Sequence, residues 1–210
     1  MRLLLRTSAW IIGIFALAGA PLSFAQTPPA LKLTTGSGQV ALIDGTGAVT
    51  FSGACTPAVC QTTFVGALPG QLQWNGTIGT FSVGFVLGVT KPALDQPSMD
   101  LTIGHLTTTA QGSITFQFSD KDFTNLGVSG GTLQADGSVT TTGHDSATFS
   151  AYFDNTNTVL GTGTTVGTAT VPISPGSHSV TATINGPGPA ISPFSMMQAA
   201  TFNRECSVRD

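Results

Sequence analysis

The feature that most constrains this chain is its two-residue alternation, which no stretch of helical periodicity interrupts. Beyond the first residues, no window longer than about ten positions holds an apolar repeat of about 3.6, and Gly, Thr, Ser and Pro recur every few positions. Gly112–Phe123 is the clearest case. Ile114, Phe116 and Phe118 face one way, and Ser113, Thr115 and Gln117 face the other. Gln39–Ile43 and Ala48–Ser52 flank Asp44-Gly45-Thr46-Gly47, which predicts a hairpin, and Gly131–Ala135 with Ser138–Thr142 predicts another around Asp136-Gly137. Val83, Phe85, Leu87 and Val89 share one phase, as do Met99, Leu101 and Ile103, and Phe149, Ala151 and Phe153. Val180, Ala182 and Ile184 alternate before a turn over Asn185–Pro189, and Phe194–Phe202 is the last apolar run. The pattern predicts an all-β, two-sheet antiparallel sandwich of about ten strands, jelly-roll-like, with turns every 8–12 residues or so. No fixed-period repeat accompanies the Thr and Gly richness, which argues against a β-solenoid.

Residues 1–25 read as a secretory signal. Arg2 and Arg6 precede the uncharged run Ala9–Ala20, and Ser23-Phe24-Ala25 places small residues before a cut at Gln26. The run is shorter than the roughly 20 residues of a spanning helix, which disfavours an anchor. Residues 26–202 then form a single sandwich domain, opened by a short exposed leader to Ala30, and 203–210 a mobile tail.

Past the signal, ten acidic residues face only Lys32, Lys91, Lys121, Arg204 and Arg209. That balance excludes nucleic acid, which needs clustered cations to release counterions, and gives no grip on anionic lipid. Charged residues are 8% of the chain, against about 25% in ordinary soluble domains. Hydroxyls and amides supply the polar surface instead, as suits a secreted or cell-surface protein. Cys55 and Cys60 enclose four residues, Thr56–Val59, and their spacing favours a local disulfide in an oxidising compartment. Cys206 is left over, as a free thiol, an intermolecular bridge or a partner in another pairing.

Catalytic constellations are poorly supplied. His105 shares the phase of Leu101 and Ile103, His144 and Asp145 are strand neighbours pointing to opposite faces, and no Gly-x-Ser-x-Gly elbow occurs. Glu205 is the single Glu, and Asp44 and Asp136 precede Gly as turn residues, so a paired-carboxylate glycosidase lacks its parts. We expect no enzymatic activity and no obligate cofactor. Asp120, Asp122 and Asn125 are hard oxygen donors suited to calcium, and Asp154, Asn155 and Asn157 form a second such group. Both groups suit Asx turns closing two strands better, and Lys121 separates the first two carboxylates. Trp74, between the amides Gln73 and Asn75, and Tyr152, on the polar side of its strand, are the candidate sugar-stacking aromatics; a lone Trp also suits a core.

Several phrases bear a family likeness. L-K-L-T-T-G, V-A-L-I-D-G, A-V-T-F-S-G, T-K-P-A-L, F-S-D-K-D-F-T and A-Y-F-D-N-T-N-T-V-L-G-T-G-T span most of residues 31–202. The chain resembles uncharacterised bacterial exported proteins associated with the PEP-CTERM sorting system. The resemblance implies an exported β-sandwich without established activity, linked to the envelope or exopolysaccharide matrix. It assigns no functional residues. The chain departs from that pattern in lacking the V-P-E-P-like sorting tail, and Cys55–Trp74 reads as an insertion. The expected role is structural or adhesive, with extracellular polysaccharide or other surface proteins as partners and no membrane contact after cleavage. The alternative is a carbohydrate-binding module, with calcium as a stabiliser.

Overall fold

The computed structural model describes residues 29–91, 93, 98–124, 132–142, 145–173, 177–189 and 191–204, with only the backbone at 132–142, 145, 173, 177–182 and 187. Residues 1–25, expected to be a signal, and Asn125, His144 and Cys206 lie outside the described residues. Thirteen strands and no helix are described: β1 (Ala30–Thr35), β2 (Gln39–Ile43), β3 (Val49–Gly53), β4 (Cys60–Leu68), β5 (Gln71–Ile78), β6 (Phe81–Val89) and β7 (Asp100–Thr108) come first. β8 (Gly112–Phe123), β9 (Thr132–Thr142), β10 (Asp145–Asp154), β11 (Thr164–Ile173), β12 (Ser177–Pro187) and β13 (Phe194–Arg204) follow. A large sheet has the order β11-β10-β13-β8-β1-β2-β3, a small sheet β4-β5-β6-β7, and β9 and β12 form a separate ribbon. Every pairing is antiparallel.

β8, twelve residues long, is the middle strand of the large sheet. Its phase is the one the alternation predicts: Ile114, Phe116 and Phe118 are fully buried. Leu31 and Leu33 of β1 pair with Phe118 and Phe116 on the same face, and Ala200 and Phe202 of β13 pair with Phe116 and Ile114. Phe149, Ala151 and Phe153 of β10 continue that face into one apolar cluster. The small sheet supplies Leu72, Trp74, Ile78, Phe81, Val83 and Val86 to the same cluster. The sheets meet closely at Gly88, where a Cβ would lie 2.3 Å from Phe118 Cδ2. Only glycine lets β6 approach the ring so nearly.

The sandwich expectation holds and several details change. The small sheet is a meander in chain order, whereas a jelly roll sends successive strands across between its sheets. Asp136-Gly137 makes no hairpin. Both residues are ladder positions in a continuous β9, opposite Thr183 and Ala182. β12 likewise runs through Asn185 and Gly186 to Pro187, paired with β9, where a turn was expected. Ala30, expected in an exposed leader, is 8% exposed and opens β1, while Asn203 and Arg204, expected in the tail, extend β13. Cys55–Trp74, read as an insertion, supplies β4 and the first half of β5. Val83 does not share a face with Phe85, Leu87 and Val89, because Trp74 pairs with Val86 while Gly76 pairs with Val83. The extra residue is a β-bulge at Gly84–Phe85, which reverses the phase of the strand. Phe81 and Val83 are therefore inside before it, and Val86 and Gly88 after it.

Cys55 and Cys60 are bridged, with Cα atoms 5.5 Å apart. The bridge closes a turn in which Thr56 C=O accepts from Val59 N–H at 3.0 Å and Cys60 N–H at 2.9 Å. No described helix is long and apolar enough to cross a membrane.

Candidate functional site

The carboxylates at the end of β8 are held in two different ways. Asp120 lies on the core side of the strand and is fully buried. Its Oδ2 accepts from Lys91 Nζ at 2.8 Å and from Thr90 Oγ1 at 3.2 Å, and its Oδ1 from Lys121 N–H at 2.8 Å. Lys91 is 4% exposed, also donates to the Lys121 carbonyl, and sits 4.2 Å over the Phe123 ring, which stacks on Phe194. The cation beside Asp120 is thus an ammonium from the small sheet, and the pair ties β6 to β8. Asp122 adopts a left-handed φ of 62°. Its N–H donates to Asn157 Oδ1 at 2.8 Å, and Asn157 Nδ2 donates back to Asp122 Oδ1 at 2.5 Å. That two-way bond fixes a conformation that L-residues seldom adopt.

The second predicted oxygen cluster is an Asx turn. Asp154 accepts Thr156 N–H at 2.8 Å and Thr156 Oγ1 at 2.6 Å, and these bonds, the hydroxyl first, hold its carboxyl below the ordinary range. The loop after β10 lies across the end of the large sheet, where Leu160 N–H donates to Ser119 Oγ and Ser195 Oγ donates to the Thr158 carbonyl. Among the described residues no group of three His, Cys, Asp or Glu is placed to hold a metal ion. Asp120 and Asp122 do not converge on one point: one serves Lys91, the other Asn157. Asp44 is the turn residue expected, accepting from Thr46 Oγ1, Thr46 N–H and Ala48 N–H, and the Thr46 hydroxyl above all lowers its pKa.

The aromatic candidates separate. Trp74 is fully buried, with its Nε1–H donated to Thr62 Oγ1 at 3.0 Å, so it offers no stacking surface. Tyr152 is half-buried on the outward side of β10, opposite Phe149, Ala151 and Phe153, in the place its phase predicts. His105 departs from prediction. It is exposed with a φ of 54°, off the Leu101 and Ile103 face, because the backbone turns at Gly104–His105 beside the β6 bulge. The His178 side chain lies outside the described residues.

Two outward faces remain. On the large sheet, Thr170, Thr148, Thr201, Thr115 and Thr34 stand in one row across five adjacent strands. Four of the hydroxyls pair off, Thr148 with Thr170 at 3.0 Å and Thr115 with Thr201 at 2.9 Å, Thr34 Oγ1 is covered without a partner, and Ser150 pairs with Thr168 in the next row. On the small sheet, burying Leu72 and Trp74 turns Gln71, Gln73 and Asn75 outward along β5. Phe64 of β4 faces Asn75, and Phe85 projects from the bulge on the opposite side. The sequence signalled the amides through their spacing around Trp74. It did not signal Phe64 and Phe85, whose outward placement depends on bulges in β4 and β6.

No family model, curated protein or solved structure matches the chain.

Proposed function

We propose that the protein is an exported, non-enzymatic structural or adhesive component of the bacterial cell surface or of the matrix around it. The observation that supports this reading best is the outward face of the large sheet, a row of five threonines on five strands. A hydroxyl-rich surface of this kind suits a hydrated polymer matrix, in which partners compete with water through many weak hydrogen bonds. The Cys55–Cys60 bridge is compatible with an oxidising compartment. The family-like phrases at Leu31–Gly36 and Phe118–Thr124 favour the envelope or its matrix.

The experiment is expression of the full chain in a bacterial host with its own leader, followed by fractionation and thiol labelling. The expected result is protein cut after Ala25, found outside the cytoplasm, with Cys55 and Cys60 protected from alkylation. Uncut protein in the cytoplasm with reactive thiols would overturn the reading. A second reading, a carbohydrate-binding module, is favoured by the outward amides of β5.

A further inference from the structure

On the small sheet, Gln71, Gln73 and Asn75 form a file along β5, successive amides about 6.8 Å apart as alternate strand residues. Apolar side chains border the file on both sides. Phe64 and Leu68 stand on β4, opposite Asn75 and Gln71; Leu87 and Val89 stand on β6, opposite Gln73 and Gln71, with Phe85 at the bulge. Phe64 is 48% exposed and Leu68 65%. Both rings lie down on glycines. A Cβ on Gly66 would meet Phe64 Cε1 at 3.2 Å, and one on Gly104 would meet Phe85 Cε1 at 2.1 Å. Glycine leaves room for each ring beside the file, and the Phe85 ring also meets His105 in an edge contact with centroids 6.4 Å apart.

The amides differ from the hydroxyls of the large sheet in being unengaged. Among the described residues, Gln71, Gln73 and Asn75 make no side-chain hydrogen bonds, and Asn75 Oδ1 is covered without a partner. An amide floor between apolar walls leaves the Gln71 and Gln73 groups to be met from outside, whereas the covered Asn75 Oδ1 is closed to solvent. The charge of the face selects the partner. Asp100, at the far corner beside Val89, is the one ionised side chain of the described face, so a polyanion finds no counter-charge here. We propose that this face binds a neutral polysaccharide lying along β5, its hydroxyls on the Gln71 and Gln73 amides and its C–H faces on Phe64 and Phe85. Rings suit this work because a sugar offers an apolar C–H face beside hydroxyl edges. The inference rests on the adhesive reading above and gives it a ligand class and a site.

The test is affinity electrophoresis and pull-down of the folded full chain on cellulose, chitin, xylan and a soluble β-glucan, with alginate as the acidic control. Phe64→Ala, Gln73→Ala and the large-sheet control Thr148→Ala are compared, each with its thermal midpoint. The expected result is retention on at least one neutral polymer, weakened about tenfold or more by Phe64→Ala and Gln73→Ala, which corresponds to about 1.4 kcal/mol, and unchanged in Thr148→Ala. Absence of retention on every neutral polymer overturns the proposal. So does retention indifferent to both variants, stronger retention on alginate, or a dimer in solution that Phe64→Ala dissociates. Protein that leaves the cytoplasm yet fails these tests keeps the export reading and loses the site.

Discussion

Lys91 and Asp120 are 29 residues apart in sequence and form a desolvated ion pair between the two sheets. Removing one member strands a buried charge, so Asp120→Asn should cost about 3–5 kcal/mol in urea unfolding. Lys91→Met with Asp120→Leu removes both charges and should recover most of that loss. A cost below about 1 kcal/mol for the single variant would class the pair with surface ion pairs. Asp154 bears on stability in acid. Its ordinary value is 3.8 and the Thr156 hydroxyl lowers it in the folded chain, so the folded state binds the proton more weakly than the unfolded state. The stabilisation is therefore whole above 3.8 and is lost as the pH falls from there through the lower folded value. Asp154→Asn should flatten the acid limb of stability measured between about pH 5 and about pH 2, and an unchanged slope would remove Asp154 from that role.

At the scale of strands, the close approach of β6 to β8 sets the spacing of the sheets. Gly88→Val would drive a side chain into Phe118 and should cost about 1–3 kcal/mol by overpacking. Combined with Phe118→Leu, the loss should be smaller than the sum of the two single losses, because the smaller side chain frees the space. Additive losses in chemical denaturation would show that the two do not touch. The same scale explains what could be read in advance. Ile114, Phe116 and Phe118, and Phe149, Ala151 and Phe153, were legible because their own strands keep one alternation through the buried part, the irregularity beside Ala151 falling on β11. Phe85 was not, because one inserted residue at Gly84–Phe85 reverses everything after it. Asp136-Gly137 misled because Asp-Gly favours a turn only where the chain has no partner strand, and β12 provides one. Lys91 was missed as the partner of Asp120 because nothing local joins them; their meeting depends on two sheets stacking.

For the whole molecule, the strand order matters more than the strand count. β1 and β13 flank β8 on its two sides, and β13 separates β8 from β10. Phe194 and Met197 are 1% exposed, so β13 is core and not trim. A chain ending before residue 194 should show no cooperative thermal transition, and a transition at the parent midpoint would contradict this placement. Pairings between distant parts of a chain close slowly because loop entropy is lost before contacts repay it. The middle of the large sheet therefore has to wait for β13. Until β13 is in place, β8 and β10 each keep an open edge, and the two parts of the large sheet, β8-β1-β2-β3 and β10-β11, stay unjoined.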